Sequence, residues 1–306
     1  MTIQELNTRY GAPGRIVFRE GHAGYPNVVL ANKYGAAEIA LLGANVLSYK
    51  PTGHSETLFR PAKRDYNRGE SFHGGIPVCW PQFGNRFSKA LPQHGFARIM
   101  PFTVKATEYS EEMTEITLLL KSDDETKKIW PHEFELEYRI TVSMKLNLRL
   151  TTKNTGAEPL DFSCGFHPYF RLRNRDDATV RGLDGVSFMD VGGELPAEAK
   201  VWAGDLAVTK AYDHVFTMPP ALKHEYAIVD SALRRAIAMV STGNDRTVVW
   251  NCGEGNPLKD FAADDWKKYV CVEPVSDWPG GRTLAPGGKY ELMAAIQSTL
   301  EEVNNA

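Results

Sequence analysis

FELEYRITVSMKLNLRL, residues 134–150, decides the fold. Every even position from Phe134 to Leu150 is apolar, while the odd positions carry Glu135, Glu137, Arg139, Thr141, Ser143, Lys145, Asn147 and Arg149. A period of two sustained this long gives the chain one buried and one wet face, the pattern of antiparallel sheet. Strands usually run about 3–10 residues, so a bend or tight connection is expected near residues 145–147. Asn154-Thr155-Gly156 supplies the next turn. Working outward, similar strand patterns occupy residues 28–33, 37–42, 46–49, 115–121, 236–240, 247–251, 269–272 and 290–300. Helical periodicity is scarce. The best short helix is 257–268, whose Lys259, Asp260, Asp264, Asp265, Lys267 and Lys268 form an expected solvated face. Many strands between Gly, Pro and Asn turns, without regular helix alternation, predict an all-β sandwich or barrel rather than a βαβ fold.

The remaining 306-residue composition narrows the function classes. The chain is 42% hydrophobic and 24% charged, long enough to build a core without disulfide or metal staples. Lys plus Arg (35) against Asp plus Glu (38) gives a net charge of −3, and no basic block argues for nucleic acid or an anionic membrane. The opening MTIQELNTRYGAPG lacks a basic region followed by an apolar stretch, so no secretory signal is expected. Nothing approaches 18 uninterrupted apolar residues. Cys79, Cys164, Cys252 and Cys271 lie far apart without CxxC spacing, so buried free thiols in a reducing, cytoplasmic setting are expected. No repeat or linker marks a boundary, which predicts one domain over 1–306. Residues 195–220 read as an irregular surface excursion.

Five segments break the strand rhythm. GGIPVCWPQFGNRF (74–87) combines glycines and prolines with Trp80, Phe83, Arg86 and Phe87. Aromatic faces beside amides and a guanidinium suit a sugar, whose C–H faces are apolar and whose rim is hydroxyl; an ordinary packed loop has the same composition. HGFAR (94–98) sets His94 and Arg98 around Gly95 and Phe96, with Arg98 either a cleft cation or a structural ion-pair partner. CGFHPYF (164–170) holds one titratable group, His167, which is either a satisfied core residue or, with an ordinary imidazole pKa of about 6.5, a proton donor lining a pocket. VCVEPV (270–275) ends an apolar run on Glu273, which either points to water or, partly desolvated, becomes a general base. Asp213-His214 is a polar pair inside the partly apolar run 212–216. HxxxH, HExxH, GxSxG, GxxxxGK[ST] and GxGxxG are all absent, so the sequence offers no support for a metal site or nucleotide chemistry.

With these segments in family order, the chain resembles the D-hexose-6-phosphate mutarotase (glucose-6-phosphate 1-epimerase) family of the aldose 1-epimerase, galactose mutarotase-like superfamily. The carriers are GGIPVCWPQFG, HGFAR, CGFHPYF, Asp213 to Phe216, VCVEPV, and a terminal PGG plus strand (286–300). The resemblance implies a β-supersandwich with an open cleft, no metal and no organic cofactor. It matches His167 to a general acid, Glu273 to a general base, and His94 and Asp213 to positions holding sugar hydroxyls, with Arg98 lining the cleft. The expected activity is interconversion of the α and β anomers of a hexose 6-phosphate by ring opening and reclosure. Members acting on phosphorylated sugars carry Arg immediately before GGIP, where it contacts phosphate; this chain has His73. Arg86, or Lys63, Arg64 and Arg68, either compensate or form a solvated loop face. The rival readings are an epimerase of free aldoses and a non-catalytic carbohydrate-binding protein. A glycoside hydrolase needs two carboxyl groups, and this match supplies one. The expected partner is a sugar or sugar phosphate bound by a monomer.

Overall fold

Phe134–Val142 and Leu146–Asn154 form a hairpin in register from Phe134 opposite Asn154 to Val142 opposite Leu146. The chain reverses at residues 143–145, where the Ser143 N–H donates to the Lys145 carbonyl at 2.9 Å. The expected connection is therefore present, slightly earlier than 145–147. Phe134, Leu136, Tyr138, Ile140, Val142, Leu146, Leu148 and Leu150 are all buried, whereas Met144 sits at the hairpin tip in solvent. Each such fully buried aliphatic or aromatic side chain contributes about 1.5–3 kcal/mol by leaving water.

The computed structural model describes residues 1–61, 73–85, 88–192, 198–255, 258–276 and 281–300. Among them the strands make antiparallel sheets of nine, eight, four and two members. The hairpin belongs to the nine-stranded sheet, alongside Thr114–Lys121, Arg235–Thr242 and Lys289–Leu300. In the eight-stranded sheet, Ser187–Asp190, Tyr212–Thr217, Arg246–Asn251, Tyr269–Ser276, Cys164–Phe166 and Val78–Cys79 follow one another in space. One continuous apolar cluster joins the two large sheets, with Tyr138 of the first stacked on Phe166 of the second at 5.6 Å. This is the all-β sandwich of antiparallel sheets that the alternation predicts. The four cysteines are free and buried. No helix among the described residues is long and apolar enough to cross a membrane.

Two local expectations need correction, and one helix was not anticipated. Residues 257–268 do not form an amphipathic helix: within their described part only Asp265–Lys268 is helical, as a single 3-10 turn. Of the carboxylates expected in solvent, Asp264 is exposed, but Asp260 and Asp265 turn inward. Asp265 is buried, accepts the Ala262 N–H and pairs with Lys268, while Asn251 takes the Trp266 carbonyl. Backbone groups committed to these partners are not free for a helical ladder. Second, Ile3–Tyr10 is a helix although its apolar content is low; only Leu6 is buried. A reciprocal cap explains it: the Thr2 hydroxyl accepts the Glu5 N–H, and the Glu5 carboxylate accepts the Thr2 N–H. Third, residues 195–220 are not a surface excursion throughout. Tyr212–Thr217 is an interior strand of the eight-stranded sheet, because Tyr212, His214 and Phe216 alternate into the core; residues 193–197 lie outside the described part.

Candidate active site

Tyr269–Ser276 is buried along its whole length, and its two faces have different work. Val270 and Val272 enter the main core, while Cys271, Glu273 and Val275 face the other way. Two short strands share it as partner. Gly165 lies opposite Val275 and Tyr169 opposite Cys271. Carrying that antiparallel register across the gap sets His167 opposite Glu273, and the side chains meet there with Nε2 and Oε2 3.5 Å apart. Neighbouring strands extend the rows: Val215, Val248 and Glu273 are cross-strand neighbours, as are Asp213, Trp250 and Cys271. Alternation sends Asp213 to this face and the adjacent His214 into the core against Phe188 and Tyr212.

The Gly/Pro-rich segments build the walls. The carbonyls of Pro77 and Gly75 accept the N–H groups of His167 and Tyr169 at 3.0 and 2.9 Å, so GGIPV runs beside His167. Gly165 leaves room for Phe83, since a Cβ there would lie 2.7 Å from the Phe83 ring. Gly95 adopts φ +71° and presses on Trp80, whose carbonyl oxygen would lie 2.1 Å from a Cβ. That contact docks HGFAR onto GGIPVCWPQFG. His94 then receives the Gly84 N–H at Nδ1 (3.2 Å), which leaves a neutral ring with its proton on Nε2 as a donor. Arg98 donates to the Gln93 carbonyl at 2.8 Å, fixing the guanidinium on the rim.

The result is a cavity of about 370 Å³ lined by His73, His94, Arg98, His167, Asp213 and Glu273, together with aromatic and polar groups. Small-molecule sites run about 300–1,000 Å³. Six of the seven candidate residues are therefore brought together; Arg86, like Lys63, Arg64 and Arg68, lies outside the described residues. Sequence reading missed Asn85, Gln93, Tyr169 and Trp250, which also line the cavity. Gln93 adjoins HGFAR and Tyr169 sits inside CGFHPYF, so proximity to the motifs was the available signal. Trp250, on a different strand, carried none.

Burial drives both central groups toward their neutral forms. It lowers the His167 imidazole well below its ordinary value, helped by the nearby Arg98 guanidinium. It raises the Glu273 carboxyl well above its ordinary range, helped by the Asp213 carboxylate. The pair therefore holds one proton between its two groups over a widened pH interval and titrates as a unit. Buried His167 Nδ1 and Glu273 Oε2, the latter facing His167 Nε2 at 3.5 Å, make no hydrogen bond among the described residues. Cys271 adds a third donor, with the three donor atoms spread over as much as 4.8 Å. A tetrahedral zinc site draws its donors to about 3.3–3.8 Å of one another, and burial pushes the Cys271 thiol well up, away from the thiolate a metal needs. The arrangement suits proton transfer better than ion binding.

The chain is similar to known proteins in both sequence and fold. The sequence profile of the aldose 1-epimerase family matches residues 26–297. A Salmonella typhimurium protein provisionally named glucose-6-phosphate 1-epimerase is 32% identical over 250 residues, 81% of this chain and 82% of that protein. An Escherichia coli protein of the same provisional name is 32% identical over 248 residues, covering 80% and 81%. Among solved structures, a Salmonella typhimurium protein provisionally titled a mutarotase superposes with a TM-score of 0.86 at 28% identity, covering 95% of this chain and 96% of that one.

Proposed function

The chain belongs to the aldose 1-epimerase family, and on that premise we propose that it interconverts the α and β anomers of a hexose 6-phosphate, with glucose 6-phosphate the best candidate substrate. The observation that carries the chemistry is the His167–Glu273 pair, 3.5 Å apart in a sugar-sized cleft. Anomer exchange requires one group at the ring oxygen O5 and one at the anomeric hydroxyl O1, two oxygens on a single carbon. An acid and a base this close can reach both, whereas glycosidase carboxyl groups stand about 5 Å or more apart to flank a leaving group.

In the empty cleft the shared proton favours Glu273. Sugar hydroxyls donating to that carboxyl replace its missing solvation and favour the carboxylate, with the proton moving to His167. Glu273 then takes the O1 proton while His167 Nε2 protonates O5. The C1–O5 bond breaks, C1=O1 forms, and the open aldehyde remains. Rotation about C1–C2 offers the opposite carbonyl face. On closure the neutral His167 recovers the O5 proton as O5 attacks C1, and Glu273 returns its proton to O1. His94 Nε2–H and the Asp213 carboxylate hold hydroxyls, and Trp250 and Tyr169 offer apolar ring faces to the sugar's C–H groups. Arg98 supplies a fixed positive charge for phosphate and His73 lines the same cleft; the charge of Arg98 acts on the His167 side, while that of Asp213 acts on Glu273.

Exchange NMR or polarimetry on freshly dissolved α-glucose 6-phosphate and α-glucose tests the reading. Acceleration above the spontaneous rate is expected for both, larger for the phosphate. Equal acceleration would instead favour an epimerase of free aldoses, and no acceleration of either would leave a carbohydrate-binding protein.

The pH profile gives a second check. The active form carries one proton on the pair. Activity is lost in acid as His167 gains a second proton, below the ordinary imidazole value of 6.5 because that group is lowered. It is lost in base as Glu273 gives up the last one, above the ordinary carboxyl value of 4.5 because that group is raised. A broad plateau in kcat/KM between two limbs is expected. A rate independent of pH through both limbs would rule the pair out.

A further inference from the structure

His73 does not stand alone at the cleft edge. Its backbone N–H donates to Asp260 Oδ2 at 2.9 Å, and its ring Nδ1 meets Asp260 Oδ1 at 2.7 Å. Both carboxylate oxygens are thus spent on one residue 187 positions away in the chain. The rings of Phe261 (5.8 Å, 89°) and Tyr169 (6.4 Å, 71°) pack edge-on around the same imidazole. The Asp260 side chain is only 11% exposed, so the contact is a built one rather than a chance surface pair. Burial works to raise the Asp260 carboxyl, but the hydrogen bond and charge of His73 outweigh it and hold it below its ordinary value, as a carboxylate.

This arrangement fixes what His73 can offer. With Nδ1–H committed to the carboxylate, the ring meets the cavity through Nε2, which donates to an anionic oxygen in the imidazolium form. A carboxylate that grips both the main chain and the ring also removes rotamer freedom, which would otherwise be lost on binding. We propose that Asp260 is a positioning residue for recognition of the substrate's phosphoryl group, holding His73 so that Nε2 and the Arg98 guanidinium bind its oxygens together. The proposal rests on the phosphorylated-sugar reading above and adds Asp260 to it. Asp260 touches no substrate atom; it acts through His73. A free hexose, lacking the dianion, makes no use of the pair.

The test is Asp260→Asn, which keeps an acceptor for the His73 N–H and loses the charged one for its ring. KM for glucose 6-phosphate should rise about tenfold, the worth of one charge-assisted hydrogen bond, with kcat changed less than twofold and both parameters for glucose unmoved. Inorganic phosphate, used as a competitive inhibitor, should weaken by a similar factor. In a His73→Ala background, Asp260→Asn should add nothing further, because the two act as one unit. His73→Gln leaves Asp260 in place and reads the same phosphate-selective loss should Asp260→Asn fail to fold. Equal losses with both sugars would make Asp260 a general structural residue and overturn the proposal, as would an unchanged KM for the phosphate. Failure of the underlying reading looks different: wild-type protein would then show no preference for the phosphorylated sugar at all.

Discussion

Glu273→Gln is expected to lower kcat for anomer exchange of glucose 6-phosphate by about 10²–10⁴-fold, to near the spontaneous background. The substitution is nearly isosteric. It leaves the strand register intact and keeps a hydrogen-bonding group beside His167, but an amide cannot shuttle a proton. His167→Ala should cost a comparable factor, and the double variant little more, since acid and base serve one concerted step. Stability separates a chemical role from a structural one, and its sign follows from burial. Glu273 is raised in the folded protein, so its contribution is fully present below the unfolded carboxyl pKa and is lost as pH rises toward the folded value. Glu273→Gln has no such group to ionise, so its melting temperature should exceed that of wild type at alkaline pH. An enzyme that keeps full exchange activity with Gln at 273 would refute the assignment.

Trp80→Ala should lower the unfolding free energy by about 3–5 kcal/mol. Trp80 is fully buried and packs against Phe96, Trp130 and Phe134 at ring separations of 5.6, 5.2 and 4.5 Å. Its indole N–H donates to the Thr152 hydroxyl at 3.0 Å, tying the Gly/Pro-rich wall to the nine-stranded sheet. Removal leaves a cavity and an unpaired hydroxyl in the same place. Because Trp80 also carries the backbone against which Gly95 docks, the variant should lose exchange activity even where it stays folded. Trp80→Phe restores most of the volume without the hydrogen bond and should recover the larger part of the loss. Chemical denaturation of the three proteins measures the difference; a Trp80→Ala change under about 1 kcal/mol would mean that the wall does not depend on this anchor.

The fold was largely legible because its determinants are local. Alternation in 134–150 needs only a period of two, and the hairpin follows from the limit on strand length. The N-terminal helix was legible as well, through Thr2 and Glu5, but its signal is polar and escapes a search for apolar periodicity. The stretch ending at Lys268 misled for the opposite reason: its charges looked like a solvated face, and only tertiary contacts show that Asp260 and Asp265 turn inward to hold His73 and the Ala262 N–H. The site divides in the same way. Its motifs could be found one by one, and the family resemblance assigned their parts. That His167 stands opposite Glu273 depends on which strands pair and in what register, information that no window of sequence contains. Trp250 and Asp260 were invisible for that reason too.

The two short strands either side of His167 share a single long neighbour, and this has a consequence for how the protein can change. Their common ladder sets the spacing between His167 and Glu273, much as a rigid jaw sets a vice. Removing one residue between Phe166 and Tyr169 would swing Tyr169 to the opposite side and pull His167 out of line. The rim obeys no such constraint, being made of loops that reach the cavity from outside that ladder. The rim can therefore be remodelled while the gap between His167 and Glu273 stays as it is.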